Sequence, residues 1–205
     1  VTLANIDQKP GHEVVTIDSR TGRVQISSLQ PATSEDGVLP TRLLQYGIGQ
    51  SGSNRDRAVA IGDVDGDRLT DVVVTDPEQA QLLLYRQNGI DGLSMAETFP
   101  GLLGVTDIAA ADLDADNVLD LVLLSAKEGV VATSHFGGGR ITFPETIMKK
   151  PEGSELAAVE ILTSDEKVQV VVALTSGTGS GMKLAFQRLV RSDTGEWKQE
   201  NEEQK

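Results

Sequence analysis

Two segments of the chain share one acidic pattern, IGDVDGDRLTDVVV at residues 61–74 and AADLDADNVLDLVL at residues 110–123. In each segment, aspartates occupy positions 1, 3, 5 and 9 of a short loop, and an apolar run follows at once. Carboxylates so close together repel one another unless a cation lies among them, so the spacing indicates a metal-binding loop. The aspartates are Asp63, Asp65, Asp67 and Asp71 in the earlier segment and Asp112, Asp114, Asp116 and Asp120 in the later one.

The acidic pattern is part of a repeat that covers the chain. A weaker copy, LANIDQKPGHEVV at residues 3–15, has Asn5, Asp7, Lys9 and Glu13 in the four positions, and a fourth copy at residues 159–174 lacks the spacing. The residues directly before the four apolar runs are spaced 58, 49 and 49 positions apart. A period near 50 residues is typical of β-propeller blades.

Each repeat unit predicts four short strands. The second strand is almost continuously apolar, which is typical of a strand buried on both faces; these runs are Val14–Val15, Val72–Val74, Leu121–Leu124 and Val170–Leu174. We therefore predict an all-β fold, a β-propeller of four-stranded antiparallel blades. The predicted blades cover approximately residues 1–50, 51–101, 102–151 and 152–200, followed by a charged tail at 201–205. Because blades bury their faces only against neighbouring blades, the four blades are expected to be part of a larger ring of six to eight. Two alternatives stay open: closure as a ring of four blades, and end faces covered by other domains.

The composition excludes several classes of function. The chain of 205 residues has a formal net charge of −13, and so acidic a surface disfavours nucleic acid and anionic membranes as partners. Its longest apolar runs of four to five residues are too short to cross a bilayer, so we expect no direct membrane insertion. The chain lacks cysteine, and its two histidines, His12 and His135, stand in no recognisable catalytic motif.

The acidic loops resemble the FG-GAP/VCBS family of β-propeller repeats, which also builds the head of the integrin α chain. The family signature, D-x-D-x-D-G-x-x-D between the first two strands of a blade, corresponds to residues 63–71 and 112–120. Arg68 and Asn117 stand where the signature has its glycine. The segments NGIDG at residues 88–92 and FGGGRITF at residues 136–143 look like the glycine-rich turns that end many such repeats.

Two structural calcium sites are predicted from these loops. Side chains at positions 1, 3, 5 and 9 of a tight loop can converge on one point, and Ca²⁺ accepts six to eight oxygen ligands in a flexible geometry. The resemblance implies one further ligand per loop, the backbone carbonyl of Leu69 or of Val118. The alternative interpretation is an acidic surface turn that binds no metal. The predicted ligands are Asp63, Asp65, Asp67, Leu69 and Asp71, and Asp112, Asp114, Asp116, Val118 and Asp120.

The first and fourth units are expected to hold no metal. In the first unit Lys9 stands where a ligand would be, and an ammonium there would replace the cation instead of binding one. We therefore predict an internal pair of Lys9 with Asp7 or Glu13. The fourth unit has no loop that could ligate a metal.

The predicted function is binding and not catalysis. We expect a calcium-stabilised module for binding or scaffolding in an extracellular, cell-surface or periplasmic location, with a protein or glycan partner on its loop face. Further blades, on the same or a second chain, are another expected partner. Two alternatives stay open: the propeller portion of a secreted polysaccharide lyase or hydrolase, and a propeller lectin. The lectin usually needs an aromatic residue repeated at a fixed blade position.

Overall fold

Antiparallel β-strands make up most of the described chain. The computed structural model describes residues 1–18, 21–30, 33–34, 37–38, 42–48, 57–164, 167–192 and 194–200. Within them lie four four-stranded antiparallel sheets and two two-stranded hairpins, which confirms the predicted fold of four-stranded blades. None of the helices in these residues is long and apolar enough to cross a membrane. The predicted tail at 201–205 lies outside the described residues. Residues 50 and 51, between which the boundary of the first two blades is predicted, also lie outside them.

The first two sheets use the first half of the chain. The first sheet has the order β1-β2-β3-β6, and a small hairpin, β4-β5, is inserted before its last strand. Its segment contains β1 (Thr2–Ala4), β2 (Glu13–Ile17), β3 (Val24–Gln30), β4 (Thr33–Ser34), β5 (Gly37–Val38) and β6 (Arg42–Ile48). The second sheet follows chain order, with a 3-10 helix at Gly89–Asp91 before its last strand. Its strands are β7 (Val59–Gly62), β8 (Asp71–Asp76), β9 (Gln81–Tyr85) and β10 (Glu97–Pro100).

The third and fourth sheets repeat this arrangement. The third has the order β11-β12-β13-β16 and also carries an inserted hairpin, β14-β15. Its segment contains β11 (Val105–Ala111), β12 (Asp120–Ser125), β13 (Val130–Ser134), β14 (Phe136–Gly137), β15 (Arg140–Ile141) and β16 (Glu145–Lys149). The fourth follows chain order and includes a 3-10 helix at Gly179–Gly181. Its strands are β17 (Ser154–Ser164), β18 (Lys167–Ser176), β19 (Lys183–Arg191) and β20 (Trp197–Glu200).

Apolar cores lie between successive sheets, and the second strand of each middle sheet contributes to two of them. Side chains alternate between the two faces of a strand, so neighbouring residues of β8 point to different cores. Val72 and Val74 join the core shared with the first sheet, whereas Val73 joins the core shared with the third. In β12, Leu123 joins the core shared with the second sheet, and Val122 joins the core shared with the fourth. This double burial explains why these strands are almost continuously apolar.

The first strands of neighbouring sheets lie close together, which brings their loops to one end of the molecule. Strand β11 contacts both β7 and β17. At the end of β7, Leu119 packs so closely that a Cβ on Gly62 would lie 2.1 Å from its Cδ1 atom. The Leu119 amide also donates a hydrogen bond of 3.0 Å to the carbonyl of Asp63. The loops that follow β7 and β11 are therefore in direct contact.

The face of the fourth sheet that points away from the third carries exposed apolar side chains. Phe186 pairs with Ala173, and Leu184 pairs with Thr175. These residues lie on the opposite face of the sheet from the buried Val172. Phe186 and Leu184 are 65% and 61% exposed. A further blade would cover such a face, and the larger ring of six to eight blades stays a prediction.

Candidate metal centres

Three acidic loops connect the first and second strands of the first three sheets. We name them the first loop (residues 5–13), the second loop (63–71) and the third loop (112–120). Each ends on the first residue of the second strand, so the acid at position 9 is anchored in the sheet while the others lie in the turn.

Two triplets of carboxylates come together in the second and third loops. Oxygen atoms of Asp63, Asp65 and Asp71 lie within 4.8 Å of one another, and so do those of Asp112, Asp114 and Asp120. These are the acids at positions 1, 3 and 9 of the pattern. An all-oxygen, carboxylate-rich donor set of this kind fits a hard cation such as calcium.

The acid at position 1 holds the turn itself. Asp63 accepts hydrogen bonds from the amides of Gly66 at 2.8 Å and Arg68 at 2.9 Å. Asp112 accepts the equivalent bonds from Ala115 at 2.7 Å and Asn117 at 2.9 Å. These bonds curl the backbone around the carboxylate, which directs the following acids toward it.

The acid at position 9 is buried and bonds to the amide of position 2 in all three loops. Asp71 accepts from Val64 at 3.1 Å and Asp120 from Leu113 at 2.9 Å. In the first loop, Glu13 accepts from Ile6 at 3.0 Å. The shared bond shows that the three loops have a common framework, even though their other acids differ. The three acids are almost fully buried, at 0% exposed for Asp71, 8% for Asp120 and 5% for Glu13.

The acid at position 9 is difficult to ionise in the second and third loops. The pKa of Asp71 is raised to about 6, chiefly by burial and in addition by the nearby charges of Asp65 and Asp67, although hydrogen bonds from two backbone amides lower it. The pKa of Asp120 is likewise raised to about 6, chiefly by burial and in addition by the neighbouring charges of Asp114 and Asp116. Both loops therefore concentrate negative charge that a bound cation would relieve.

The acid at position 5 lies outside each triplet. Asp67 accepts a hydrogen bond from the Leu69 amide, and Asp116 accepts one from the Val118 amide, both at 2.8 Å. These carboxylates therefore cap the next turn of their own loop. Their role as metal ligands, and that of the carbonyls of Leu69 and Val118, stays a prediction.

The turn contains residues in the left-handed backbone conformation, including position 6, where the family signature has glycine and the second and third loops do not. At position 6, Arg68 has φ of 69° and Asn117 has φ of 68°, so arginine adopts the conformation that asparagine adopts more readily. The first loop has Pro10 at this position, whose ring fixes a negative φ. There Gly11, one position later, has a positive φ of 123°, and Gln8 at position 4 has φ of 54°.

The first loop contains a lysine in place of one acid. Lys9 Nζ lies 2.9 Å from Asp7 Oδ2, the first of the two partners predicted for it. The other, Glu13, instead accepts a hydrogen bond of 3.2 Å from the Ser28 hydroxyl. An ammonium group therefore lies beside the acids of this loop.

Residues that sequence analysis missed connect the loops to one another. The side chain of Gln87, which is buried, donates to the Asn5 carbonyl of the first loop at 3.2 Å. Its backbone amide donates to Asp71 of the second loop at 2.9 Å. Arg86 donates to Asp65, and Arg191 of the fourth sheet donates to the Leu113 carbonyl of the third loop at 3.2 Å. The only sequence signal is that Arg86 and Gln87 directly follow an apolar third strand.

Two cavities lie where the third loop meets the fourth sheet. Their volumes are about 730 Å³ and 380 Å³, and the Arg191–Asp114 pair contributes to the walls of both. The smaller cavity combines aromatic and charged side chains in its wall, among them Trp197, His135 and Glu145. Such a surface can contact a polar partner.

The fold and loops agree with a known repeat family. Residues 47–123, which contain the whole of the second and third loops, match the family model described as FG-GAP-like repeat. Residues 47–123 therefore have the sequence of an FG-GAP-like repeat, as the resemblance of the loops predicted, and the four-stranded sheets are consistent with β-propeller blades. No curated protein matches the sequence.

A solved structure shares the fold over most of the chain. A chain in a structure of the Tc holotoxin pore of Photorhabdus luminescens matches 96% of this protein with a TM-score of 0.57 and 16% identity. The protein spans 9% of that much longer chain. At this level of identity, the match shows a shared fold alone.

The stability of the metal-free protein is expected to rise as the pH falls from about 6 toward 4. The folded pKa values of Asp71 and Asp120 near 6 exceed the usual value of about 3.9 for an unfolded chain. The native state thus binds more protons than the unfolded state in this window, so lowering the pH favours the native state. Urea unfolding in a calcium chelator at pH 7, 6 and 5 measures the effect.

Asp120→Asn provides the control for this pH dependence. Asp120 accepts one backbone hydrogen bond in the structure, from Leu113, which an amide oxygen can also accept. The variant should therefore lose part of the pH dependence while remaining folded. A wild-type stability that is flat or falls between pH 6 and 5 would contradict the assignment of raised pKa values.

Proposed function

We propose that the protein is a calcium-stabilised β-propeller module that serves in binding or scaffolding. The observation that carries this proposal is the pair of carboxylate triplets, each with three oxygen ligands within 4.8 Å at the same point of two successive sheets. If the loops were only acidic surface turns, the carboxylates at positions 1, 3 and 9 would have no reason to come together in both of them.

Calcium suits these loops better than magnesium. Each triplet offers carboxylates from a flexible turn, and the predicted acid at position 5 and one backbone carbonyl would bring each loop to five ligand residues. A carboxylate that binds through both oxygens, or a water molecule, would complete a shell of six or more oxygens. Magnesium needs a stricter octahedron and retains several waters. Asp63, Asp65 and Asp71 would hold the ion in the second loop, and Asp112, Asp114 and Asp120 in the third.

The proposed role of the metal is structural. Each loop links the first strand of a sheet to the buried second strand, and the Leu119–Asp63 hydrogen bond joins the two loops. An ion in either loop would neutralise its acids and fix the turn on which the neighbouring sheet packs. The metal would thereby stabilise the contact between the second and third sheets.

A binding role outside the cytoplasm, with a protein or glycan partner, is the wider proposal. The cavities beside the third loop, with Trp197 and Arg191 in their walls, support a docking surface at this end. Millimolar calcium outside cells would keep loops of modest affinity occupied.

Catalysis is the less supported alternative. His12 is exposed in the first loop, and the exposed His135 has Thr142 as its hydrogen-bonding partner. Neither histidine has a hydrogen bond to a serine or carboxylate nucleophile among the described contacts. A non-catalytic module fits these surroundings better than a lyase or hydrolase centre.

Calorimetric titration tests the proposal. Adding Ca²⁺ to the chelator-treated wild-type protein should give two binding events per chain. Asp114→Asn, whose carboxylate accepts no hydrogen bond from its own loop in the described contacts, should remove one event and leave the other. Lys9→Ala is the matched control outside the two sites and should leave the stoichiometry at two. The absence of calcium binding to the wild-type protein would refute the proposal.

A further inference from the structure

The acid at position 3 has a basic partner in the first and second loops. In the first loop, Lys9 Nζ contacts Asp7 Oδ2 at 2.9 Å. In the second loop, Arg86 Nη1 donates to Asp65 Oδ2. The two basic residues come from unrelated places, since Lys9 belongs to the loop and Arg86 follows strand β9. The same carboxylate is thus neutralised in two different ways.

Arg86 is held firmly against the second loop. Its Nε donates to Glu97 Oε1 at 2.7 Å, and its guanidinium carbon lies 5.0 Å from the centre of the Phe136 ring in the neighbouring sheet. The Asp65 side chain it contacts is only 6% exposed. Water therefore screens this ion pair poorly, and the arginine is positioned before any metal binds.

Within the described part of the chain, Asp114 of the third loop has no basic partner as close as that of Asp65. Arg191 Nη1 lies 3.7 Å from Asp114 Oδ2, beyond hydrogen-bonding distance. The two side chains are 35% and 40% exposed, so solvent weakens their attraction. Asp114 is therefore more available to a cation than Asp65.

We propose that Arg86 competes with calcium for Asp65, so that the second loop binds the ion more weakly than the third. Arg86 uses Oδ2 of Asp65, and Oδ1 accepts a hydrogen bond of 3.2 Å from the Asp67 amide, so an incoming ion finds neither oxygen free. The ion also meets the positive charge of the guanidinium. In the first loop the basic group lies within the loop itself, and Asn5 and Lys9 replace the acids at positions 1 and 5, so removing Lys9 alone is not expected to create a site. In the metal-free protein, Arg86 serves as the counter-ion that holds the second loop together.

The inference rests on the proposed calcium sites and makes a separate claim about which of the two sites binds calcium more tightly. It predicts that the binding event lost in Asp114→Asn is the tighter of the two. It also predicts that replacing Arg86 by a neutral residue strengthens calcium binding at the second loop. One partly exposed unit charge at contact range accounts for a change of roughly three- to tenfold in the dissociation constant.

The decisive experiment is carried out in the Asp114→Asn protein, where heat on adding Ca²⁺ reports the second loop alone. Adding Arg86→Gln should lower the calcium dissociation constant roughly three- to tenfold. It should also lower the melting temperature in chelator, because the metal-free loop loses its counter-ion. Arg86→Lys retains the positive charge with fewer hydrogen-bond donors, and its calcium dissociation constant should lie between those of the parent protein and Arg86→Gln. This variant tests the proposal if Arg86→Gln does not fold.

Arg140→Gln is the matched control, since it removes one positive charge from an exposed residue of β15. Among the described contacts, Arg140 has no hydrogen bond or ion pair with the second or third loop. It should leave the calcium dissociation constant unchanged. Equal or weaker calcium binding in both Arg86 variants would overturn the competition while leaving the calcium sites intact. The absence of calcium binding to the wild-type protein would instead overturn the proposed function on which this inference rests.

Discussion

Removal of calcium is expected to lower the free energy of unfolding of the wild-type protein by about 4 kcal/mol. At 1 mM Ca²⁺, a third loop with a dissociation constant near 10 μM would contribute about 2.7 kcal/mol, and a second loop that binds tenfold more weakly about half as much. The physical reason is that the ion binds the folded loops, whereas the unfolded chain has no clustered carboxylates. Urea unfolding in 1 mM Ca²⁺ and in excess chelator measures the difference, which corresponds to a melting-temperature change on the order of 10 °C.

The double variant Asp65→Asn and Asp114→Asn supplies the control for this experiment. It removes one ligand from each triplet, so its stability should be nearly the same with and without calcium. The shared hydrogen bonds at position 9 remain in the variant, which should keep the sheets folded. Identical unfolding curves of the wild-type protein in calcium and in chelator would rule out a stabilising role for the metal.

The sheets were predictable wherever both faces of a strand are buried. The apolar runs Val72–Val74 and Leu121–Leu124 lie within β8 and β12 because cores on both sides exclude polar residues from these positions. Toward the end of the repeat this signal weakens. Strand β17 extends over eleven residues, Ser154–Ser164, because polar residues such as Glu160 are tolerated on its solvent-facing side. The full length of such a strand cannot be inferred from apolar residues alone.

The candidate metal centres were predictable in part. The spacing of the acids predicted that positions 1, 3, 5 and 9 converge, and the structure brings positions 1, 3 and 9 together. It did not predict that Asp67 and Asp116 bond to backbone amides of their own loops. It also could not predict the contact of Arg86 with Asp65, because the two residues meet only after β8 and β9 have paired. Contacts between distant segments depend on strand register, which short sequence patterns do not contain.

The loops and the sheets stabilise the protein by different physical effects. The loops contribute through charge, and their contribution depends on calcium and pH. The cores between the sheets contribute through burial of apolar surface, and their contribution should not depend on calcium. A substitution in each region therefore separates the two sources of stability, because sites without shared partners contribute additively.

Leu123→Ala is expected to lower the free energy of unfolding by about 3 kcal/mol, and by the same amount with and without calcium. Leu123 lies in the middle of β12, is fully buried, and belongs to the core between the second and third sheets. Truncation removes buried methyl groups and leaves a cavity that the paired strands on both sides cannot close, for which losses of about 2–5 kcal/mol are usual. Urea unfolding in 1 mM Ca²⁺ and in chelator measures both values.

Phe143→Ala is the matched control, because Phe143 is as apolar as Leu123 but is 64% exposed. Its truncation should change the stability by less than about 1 kcal/mol. A loss in Leu123→Ala that is small in chelator but large in calcium would mean that the contact between the second and third sheets forms only when the ion is bound. In that case the loops, and not the apolar core, would be the element that holds the two sheets together.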